Sequence, residues 1–187
     1  MIPIASLWVP ILLSAVIVFI ASAIAWTVSP HHKSDFRPVR DEDRLQAALQ
    51  EQHLTPGQYT FPWAAGSELK KPEVVAKFDT GPVGMLTIWP NGMPNMGKAM
   101  GLSFVYYLVV SVFVAYVLTR TIDPGADYLA VFRIAGAVAW LSYGGAYASD
   151  AIWFGRPWSN TLKNIGDALV YGLLTGGVFG WLWPTGM

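Results

Sequence analysis

Four long apolar stretches alternate with polar segments along this chain, and their lengths predict helices that cross a membrane. The first, residues 7–28, has 22 residues and no charged side chain. At a rise of about 1.5 Å per residue, such a helix spans a hydrocarbon core of about 30 Å. The other three stretches cover residues 100–120, 128–154 and 164–184. The pattern therefore predicts an all-α integral membrane protein with four transmembrane helices.

The residues that flank these stretches fit helix ends at a membrane surface. Pro124 and Gly125 mark a turn after the second stretch, and Trp181 and Trp183 form an aromatic anchor at the end of the fourth. A secretory signal would begin with basic residues, whereas here the charges follow the first stretch. Residues 1–29 are therefore predicted to stay in the protein as its first transmembrane helix.

The segment between the first two predicted helices, residues 30–99, has the composition of a water-exposed region and holds two thirds of the charged residues. Acidic residues in a first turn predict a surface helix over residues 41–51, and a leading proline predicts another over residues 72–78. The rest is predicted to be largely irregular, because proline density after residue 81 argues against the interior of a sheet. The segment has too few apolar residues to form its own core, and it is therefore predicted to lie against the membrane or a partner.

Basic residues near the helix ends predict the orientation in the membrane. Those on the side of the large loop are Lys33, Arg37, Arg40, Arg44, Lys98, Arg156 and Lys163. Only Arg120 and Arg133 mark the opposite side. Under the positive-inside rule, the large loop is predicted to be cytoplasmic and both termini to be outside.

A topology reporter fused at Gly66, within the large loop, is therefore expected to read as cytoplasmic. The physical reason is the excess of basic residues beside the helix ends on that side, which resist transfer across the membrane. A reporter that is active only outside the membrane serves as the control at the same position. Activity of that second reporter would show that the orientation is reversed.

Composition excludes several classes of function. The chain has no cysteine, which excludes disulfides, thiolate metal sites, iron–sulfur clusters and haem attached through thioethers. Its formal net charge of +0 gives no overall basic field that would attract nucleic acid. Membrane lipid is therefore the predicted environment, and no nucleic-acid partner is expected.

The three histidines, His31, His32 and His53, all lie outside the predicted spans. No haem is therefore expected to be held within the bilayer by histidine ligands, and no cofactor is predicted to be bound covalently or through histidine. His31, His32 and Asp35 together offer two imidazoles and a carboxylate, but their spacing matches no metal-binding pattern. A cap at the end of the first helix, with His and Lys facing its negative dipole end and lipid phosphate, is preferred, and no metal is predicted.

Five ionisable residues lie in or beside the later spans and are candidates for ion pairs: Arg133, Asp150, Arg156, Lys163 and Asp167. Charged groups inside a membrane are functional-site hypotheses by default. Their positions near the helix ends, however, favour interfacial pairs of the aspartates with Arg156 or Lys163 over a proton or ion pathway. Such a cluster would hold the third and fourth helices together.

Small residues mark two helix faces that favour close packing. Gly172, Gly176 and Gly180 recur at every fourth position of the fourth helix, an arrangement that allows backbones to approach closely. The third helix carries a second small face, made of Ser142, Gly145, Ala146 and Ser149. The two faces are expected to pack either on each other or on another subunit.

Several segments of the chain are similar to a known group of proteins: residues 31–36 (HHKSDF), 57–62 (GQYTFP), 81–84 (GPVG), 124–129 (PGADYL) and 177–184 (GVFGWLWP). Through them the chain resembles an uncharacterised family of small bacterial four-span inner-membrane proteins. The resemblance implies four spans in a bacterial inner membrane. That family has no assigned activity that would transfer to a residue here.

Sequence motifs of catalysis are absent: no nucleophile elbow, phosphate-binding glycine loop or HExxH pattern occurs. The chain is therefore not expected to be an enzyme. The leading hypothesis is a non-catalytic accessory subunit of a larger bacterial membrane complex, respiratory or photosynthetic, that packs against other subunits and holds lipid, quinone or pigment. The alternative is a small homo-oligomeric transporter or lipid-handling protein with a polar entry at Asp150 and Asp167.

Overall fold

The computed structural model describes residues 2–185 of the chain, and most of them are helical. Residue 1 and residues 186–187 lie outside the described part. They include both chain termini and the outermost ends of the predicted membrane regions 1–29 and 100–187. In chain order the elements are a 3-10 turn Ile4–Leu7, α1 Trp8–Thr27, a second 3-10 turn Pro30–Ser34, α2 Glu42–Glu51, β1 Gly57–Phe61, α3 Pro72–Thr80, β2 Gly84–Ile88, α4 Met96–Thr121, α5 Tyr128–Phe154 and α6 Trp158–Trp181.

Three helical segments are long and apolar enough to cross a membrane: Ile4–Thr27, α4 and α5. The predicted helical fold is confirmed, and the length and composition of these three helices indicate a membrane-embedded protein. α6 has 24 residues but carries Lys163, Asn164 and Asp167 in its first half, and it is not among the three. α4 begins four residues earlier than predicted, because the Asn95 side chain accepts a hydrogen bond from the backbone N–H of Lys98 at 2.9 Å.

The chain divides into two compact units. The first, the bundle unit, contains the residues up to Asp35 and those from Asn95 onward, and the second is Phe36–Pro94. In the bundle unit α5 and α6 form an antiparallel hairpin, because α5 ends at Gly155, whose left-handed φ of 68° turns the chain back within three residues. Fully buried apolar side chains at the centre of the unit include Leu7, Val18, Val114, Leu118 and Phe179.

The glycine stripe of α6 lies against α5 within the same chain. A Cβ atom added to Gly172 would be 2.9 Å from the backbone oxygen of Gly136, and one added to Gly176 would be 2.8 Å from that of Phe132. At Gly180 the obstacle is the ring of Tyr128, also at 2.8 Å. At Gly172 and Gly176 the nearest atoms are backbone oxygens, so these two glycines are required by close helix packing, whereas at Gly180 the Tyr128 ring would have to move.

The small face of α5 has a different environment. Ser142, Gly145, Ala146 and Ser149 are all exposed in this chain, and a Cβ atom added to Gly145 would meet nothing within 4 Å. The sequence left two arrangements open, packing of the two small faces on each other or on another subunit. The first does not occur within this chain. The α5 face points outward.

The unit Phe36–Pro94 contains both surface helices expected from the sequence, α2 and α3. It also contains two strands, so the prediction of an irregular structure elsewhere is wrong at these positions. β1 and β2 pair antiparallel, with Gly57 opposite Ile88 and Phe61 opposite Gly84. A two-stranded ribbon has no interior strand, and the prolines that argued against a sheet flank β2 instead of lying in it. No residue described in this unit is buried, which agrees with the expected lack of a core.

Replacing Gly176 by Leu is expected to destabilise the bundle unit, because the new side chain would collide with the backbone of α5. Overpacking of this kind costs about 1–3 kcal/mol or more. The measurement is the thermal unfolding midpoint in mild detergent. Gly145→Leu is the matched control, since it adds the same side chain to an open face. Equal losses of stability for both variants would contradict the packing of the glycine stripe.

Candidate functional site

A short 3-10 turn after α1 carries the residues that begin the candidate site. α1 ends at Thr27, and Pro30 opens the turn Pro30–Ser34 at the position where a missing N–H does no harm. The turn brings His31 and His32 to the first half of α6. On that helix Lys163 and Asp167 are four residues apart and so share one face. Residues about 130 positions apart in sequence thereby meet at one end of the bundle unit.

The centre of the site is a carboxylate placed between two imidazoles. His31 Nε2 lies 3.0 Å from Asp167 Oδ1, and His32 Nε2 lies 2.6 Å from Asp167 Oδ2. One carboxylate therefore uses both of its oxygens on the two histidines. We call His31, His32, Asp35, Lys163 and Asp167 the histidine–aspartate cluster.

A second layer of contacts fixes the orientation of these groups. His32 Nδ1 lies 2.6 Å from Asp35 Oδ2, while Lys163 Nζ donates to the other oxygen of Asp35 at 2.6 Å. His31 Nδ1 lies 2.5 Å from the hydroxyl oxygen of Ser29. Both histidines thus have their Nδ1 atoms held by neighbours and their Nε2 atoms directed at Asp167.

Burial and stacking make the His32 side of the cluster rigid. The side chains of His32 and Asp35 are each only 3% exposed. The ring of Trp26 lies on the imidazole of His32, with the ring centroids 3.9 Å apart and the planes within 3° of parallel. His31 is more open, with 37% of its side chain exposed. The cluster therefore has one fixed imidazole and one that is accessible from outside.

Opposing effects set the protonation of the buried pair. Burial lowers the pKa of His32, but its hydrogen bonds to Asp35 and Asp167, and their negative charges, raise that pKa above 6.5 overall. Burial likewise raises the pKa of Asp35, but the hydrogen bonds and positive charges of Lys163 and His32 outweigh it and lower that pKa. Asp35 is therefore ionised and accepts the Nδ1 hydrogen of His32.

The other ring nitrogen of His32, Nε2, faces Asp167. If His32 were neutral, its Nε2 lone pair would face a carboxylate oxygen of Asp167 at 2.6 Å. Two acceptors do not approach so closely without a cation between them. The position between His32 and Asp167 therefore needs a proton or another positive ion.

A cavity of about 220 Å³ adjoins the cluster inside the bundle unit. Its walls are mostly aromatic, and its lining includes Trp26, Tyr106, Tyr107, Tyr143, Tyr147 and Tyr171, together with Ser103, Asn164, Asp167 and Ala168. Four of the tyrosine rings pack edge to face or tilted on one another, with centroids about 6 Å apart. Asp167 belongs to both the cavity and the cluster.

Two hydroxyls of the cavity wall lack partners. Tyr143 and Tyr171 are 7% and 8% exposed, and neither hydroxyl makes a hydrogen bond of acceptable geometry to a described residue. Ser111 and Thr175 are polar neighbours of the Tyr143 hydroxyl, but their own hydroxyls are unpaired too. Buried polar groups in proteins nearly always have a partner, so the hydroxyls of Tyr143 and Tyr171 offer hydrogen-bonding sites for water or for the polar atoms of a ligand.

The structure brings together some of the residues expected to form ion pairs and separates others. Asp150 and Arg156 lie together, with 3.6 Å between Arg156 Nη1 and Asp150 Oδ2, but both are partly exposed. Lys163 pairs with Asp35, and Asp167 pairs with the two histidines instead of with Arg156 or Lys163. Arg133 is exposed on α5, and among the described residues it forms no salt bridge.

Sequence reasoning missed the junction of the histidines with α6. It weighed His31, His32 and Asp35 as a local group and preferred a helix cap, whereas the third partner of both imidazoles is Asp167. The sequence did contain one signal for this junction. Lys163 and Asp167 share a helix face near a helix end, where two charged side chains need partners from another part of the chain. The tyrosine cavity had a weaker signal, the spacing of Tyr143 and Tyr147 by one helical turn.

Comparison of the chain with protein-family models, with curated proteins and with solved structures finds no match. The function is therefore inferred from the cluster and the cavity themselves.

Replacing Asp167 by Asn is expected to destabilise the bundle unit by about 1.5–3 kcal/mol, the usual range for hydrogen bonds that involve a charged group. Asp167 is 15% exposed, and its charge serves two histidines. Asp150→Asn is the matched control, because Asp150 is 47% exposed and exposed pairs contribute about 0–1 kcal/mol. Unfolding midpoints in detergent containing a chelator give the comparison. A larger loss for Asp150→Asn would refute this account of the cluster.

Proposed function

We propose that this chain crosses the membrane four times, with α6 as the fourth span. α6 packs antiparallel on α5 from its beginning to beyond its middle: Gly180 contacts Tyr128, and Ala168 contacts Gly144. A turn of three residues joins the remaining ends of the two helices. A helix packed along a membrane span crosses the same thickness. Its lower apolar content fits its position, because nine of its 24 residues are buried, against six each in α1, α4 and α5.

The proposed location is a bacterial inner membrane, with the unit Phe36–Pro94 on the cytoplasmic side and both termini outside. Support comes from the positive-inside rule, since basic residues gather near the end of α1, the beginning of α4 and the connection between α5 and α6. The histidine–aspartate cluster, which includes the beginning of α6, lies at the same end of the helices. It would then lie near the cytoplasmic surface.

We propose further that the protein is a non-catalytic accessory subunit of a larger membrane complex, of the respiratory or photosynthetic kind, and that it holds a quinone. The observation that carries this proposal is the tyrosine-lined cavity with unpaired hydroxyls at Tyr143 and Tyr171. A quinone head group is one substituted ring with carbonyl oxygens that accept hydrogen bonds. Aromatic walls suit its faces, and the two hydroxyls suit its oxygens.

Volume selects among the ligands considered. A cavity of about 150 Å³ is known to hold benzene, so one of about 220 Å³ fits a single substituted ring. Ligand sites for larger molecules usually measure about 300–1,000 Å³, which argues against a pigment macrocycle. An isoprenoid tail would leave the cavity between helices and continue into lipid.

Association with other subunits is supported by the surface of α5. Its small face, which includes Gly145 and Ala146, is exposed and has the composition of helix contacts within membranes, where small residues let backbones approach. In lipid no hydrophobic gain comes from covering such a face, so close packing is its main use. A neighbouring transmembrane helix of another subunit is the proposed occupant.

The second candidate is a small homo-oligomeric transporter or lipid-handling protein. One observation favours it: unpaired hydroxyls continue beyond the cavity at Ser111 and Thr175, and a further one lies at Ser14. Hydroxyls from three helices within the bundle would suit a hydrated path. This candidate needs no companion subunit.

Tyr171→Phe is expected to weaken quinone binding about fivefold, which corresponds to one hydrogen bond of about 1 kcal/mol. The same change is expected to stabilise the ligand-free protein slightly, because an unpaired buried hydroxyl is removed. Tyr116→Phe is the matched control on α4, since Tyr116 is 48% exposed. The measurement is titration of the detergent-purified chain with a short-tailed quinone. Unchanged affinity in Tyr171→Phe, or none in the unmodified chain, would remove the quinone proposal.

Purification of the chain in mild detergent tests the accessory-subunit proposal. A stoichiometric set of companion subunits, lost in Gly145→Leu while the chain itself stays folded, supports it. A pure homo-oligomer that carries out a measurable flux in vesicles supports the transporter instead.

A further inference from the structure

The histidine–aspartate cluster contains a set of ligand atoms suited to a metal ion. His31 Nε2, His32 Nε2 and a carboxylate oxygen of Asp167 all lie within 4.8 Å of one another. We propose that these three side chains bind a divalent transition-metal ion of the zinc type. The inference goes beyond the quinone proposal and does not rest on it.

The spacing of the ligand atoms is close to what a metal requires. Bonds of about 2.0–2.1 Å in tetrahedral geometry place ligand atoms about 3.3 Å apart. The two nitrogen–oxygen distances are 3.0 Å and 2.6 Å. These two contacts run to different oxygens of Asp167, whereas one ligand atom from each side chain lies within 4.8 Å of the others. Side-chain rotations would have to bring the three atoms around a common point.

The second layer of the cluster has the form that metal-binding histidines need. A ligating histidine usually gives its other ring nitrogen to a carboxylate or another hydrogen-bonding group, which fixes the ring and directs the free lone pair at the metal. His32 Nδ1 contacts Asp35, and His31 Nδ1 contacts Ser29. Trp26 further holds the plane of the His32 ring. Both Nε2 atoms are therefore directed at the Asp167 carboxylate before any ion arrives.

Charge also favours a cation at this point. Lys163 balances the charge of Asp35 at 2.6 Å. Asp167 has only the two histidines as ion-pair partners among the described residues. The Asp167 charge is thus without a lysine or arginine partner among the described residues, and His32 Nε2 faces one of its oxygens across 2.6 Å. A metal ion between them would meet both requirements.

The ligand types select the class of metal. Imidazole nitrogen suits zinc, copper, iron and nickel, whereas magnesium and calcium prefer oxygen ligands. Two histidines and one carboxylate also leave one tetrahedral position for water or a ligand, as in sites that are not closed by a fourth side chain. Because Asp167 lines the cavity as well, the ion would lie at the edge of the cavity.

The test uses the full-length chain in detergent, without a polyhistidine tag and stripped with a chelator. Titration with Co²⁺ is followed by visible absorption, and Zn²⁺ affinity is measured by competition with a chromophoric chelator. We expect one ion per chain, with Co²⁺ bands of a nitrogen and oxygen ligand field. His31→Ala is expected to reduce affinity strongly, and Asp35→Asn, which changes only the second layer, by about 10- to 100-fold.

Matched controls and a folding check keep the result interpretable. His53→Ala removes a histidine from the other unit and is expected to bind like the unmodified chain. The variant Asp167→Asn, which removes a proposed ligand, is not needed for the test if it does not fold. Zn²⁺, but not Mg²⁺, should raise the unfolding midpoint of the unmodified chain, since a ligand that binds the folded state stabilises it. The proposal is overturned if the unmodified chain shows no stoichiometric binding and no such rise. It is also overturned if His53→Ala loses as much affinity as His31→Ala.

Discussion

The positions of both candidate sites depend on the close contact between the backbones of α5 and α6. Gly172 and Gly176 lie so near the backbone oxygens of Gly136 and Phe132 that no side chain fits between them. In lipid, apolar side chains are solvated as well by acyl chains as by protein, so packing of this kind holds helices together. Because the contact fixes both the distance and the register of α6, it also determines where Asp167 stands.

The histidine–aspartate cluster then joins the end of α1 to the beginning of α6. Taking an ionised group out of water costs several kcal/mol unless partners replace the water, and here each buried group has at least two. His32 contacts Asp35 and Asp167, and Asp35 contacts His32 and Lys163. The cluster therefore tolerates the loss of a partner poorly. That dependence serves packing and ligand geometry equally, since both need the imidazoles in fixed positions.

The sequence predicted what depends on local chemistry. Run length identified the membrane helices, and Asp41 and Pro72 marked the starts of α2 and α3 to within a residue. The shared partner of His31 and His32 was not predictable from the sequence. Asp167 becomes their neighbour only through the register of α6 on α5, which glycine spacing suggests but does not fix. The β1–β2 ribbon was missed for a related reason: each strand is marginal alone, and only pairing with the other stabilises it. The cavity likewise requires tyrosines from three helices.

Asp167 connects the cluster and the cavity, and its hydrogen bonds limit how a ligand can lie. Each of its oxygens already contacts a histidine, so a ligand in the cavity meets a carboxylate that has acceptor capacity and negative charge but no donor. A quinone oxygen, itself an acceptor, would avoid that end and turn toward the donors Tyr143 and Tyr171. A divalent ion in the cluster would reverse the sign of the field at this end of the cavity. Under the two proposals, ligand orientation and metal occupancy would be coupled through a single carboxylate, although neither site needs the other in order to form.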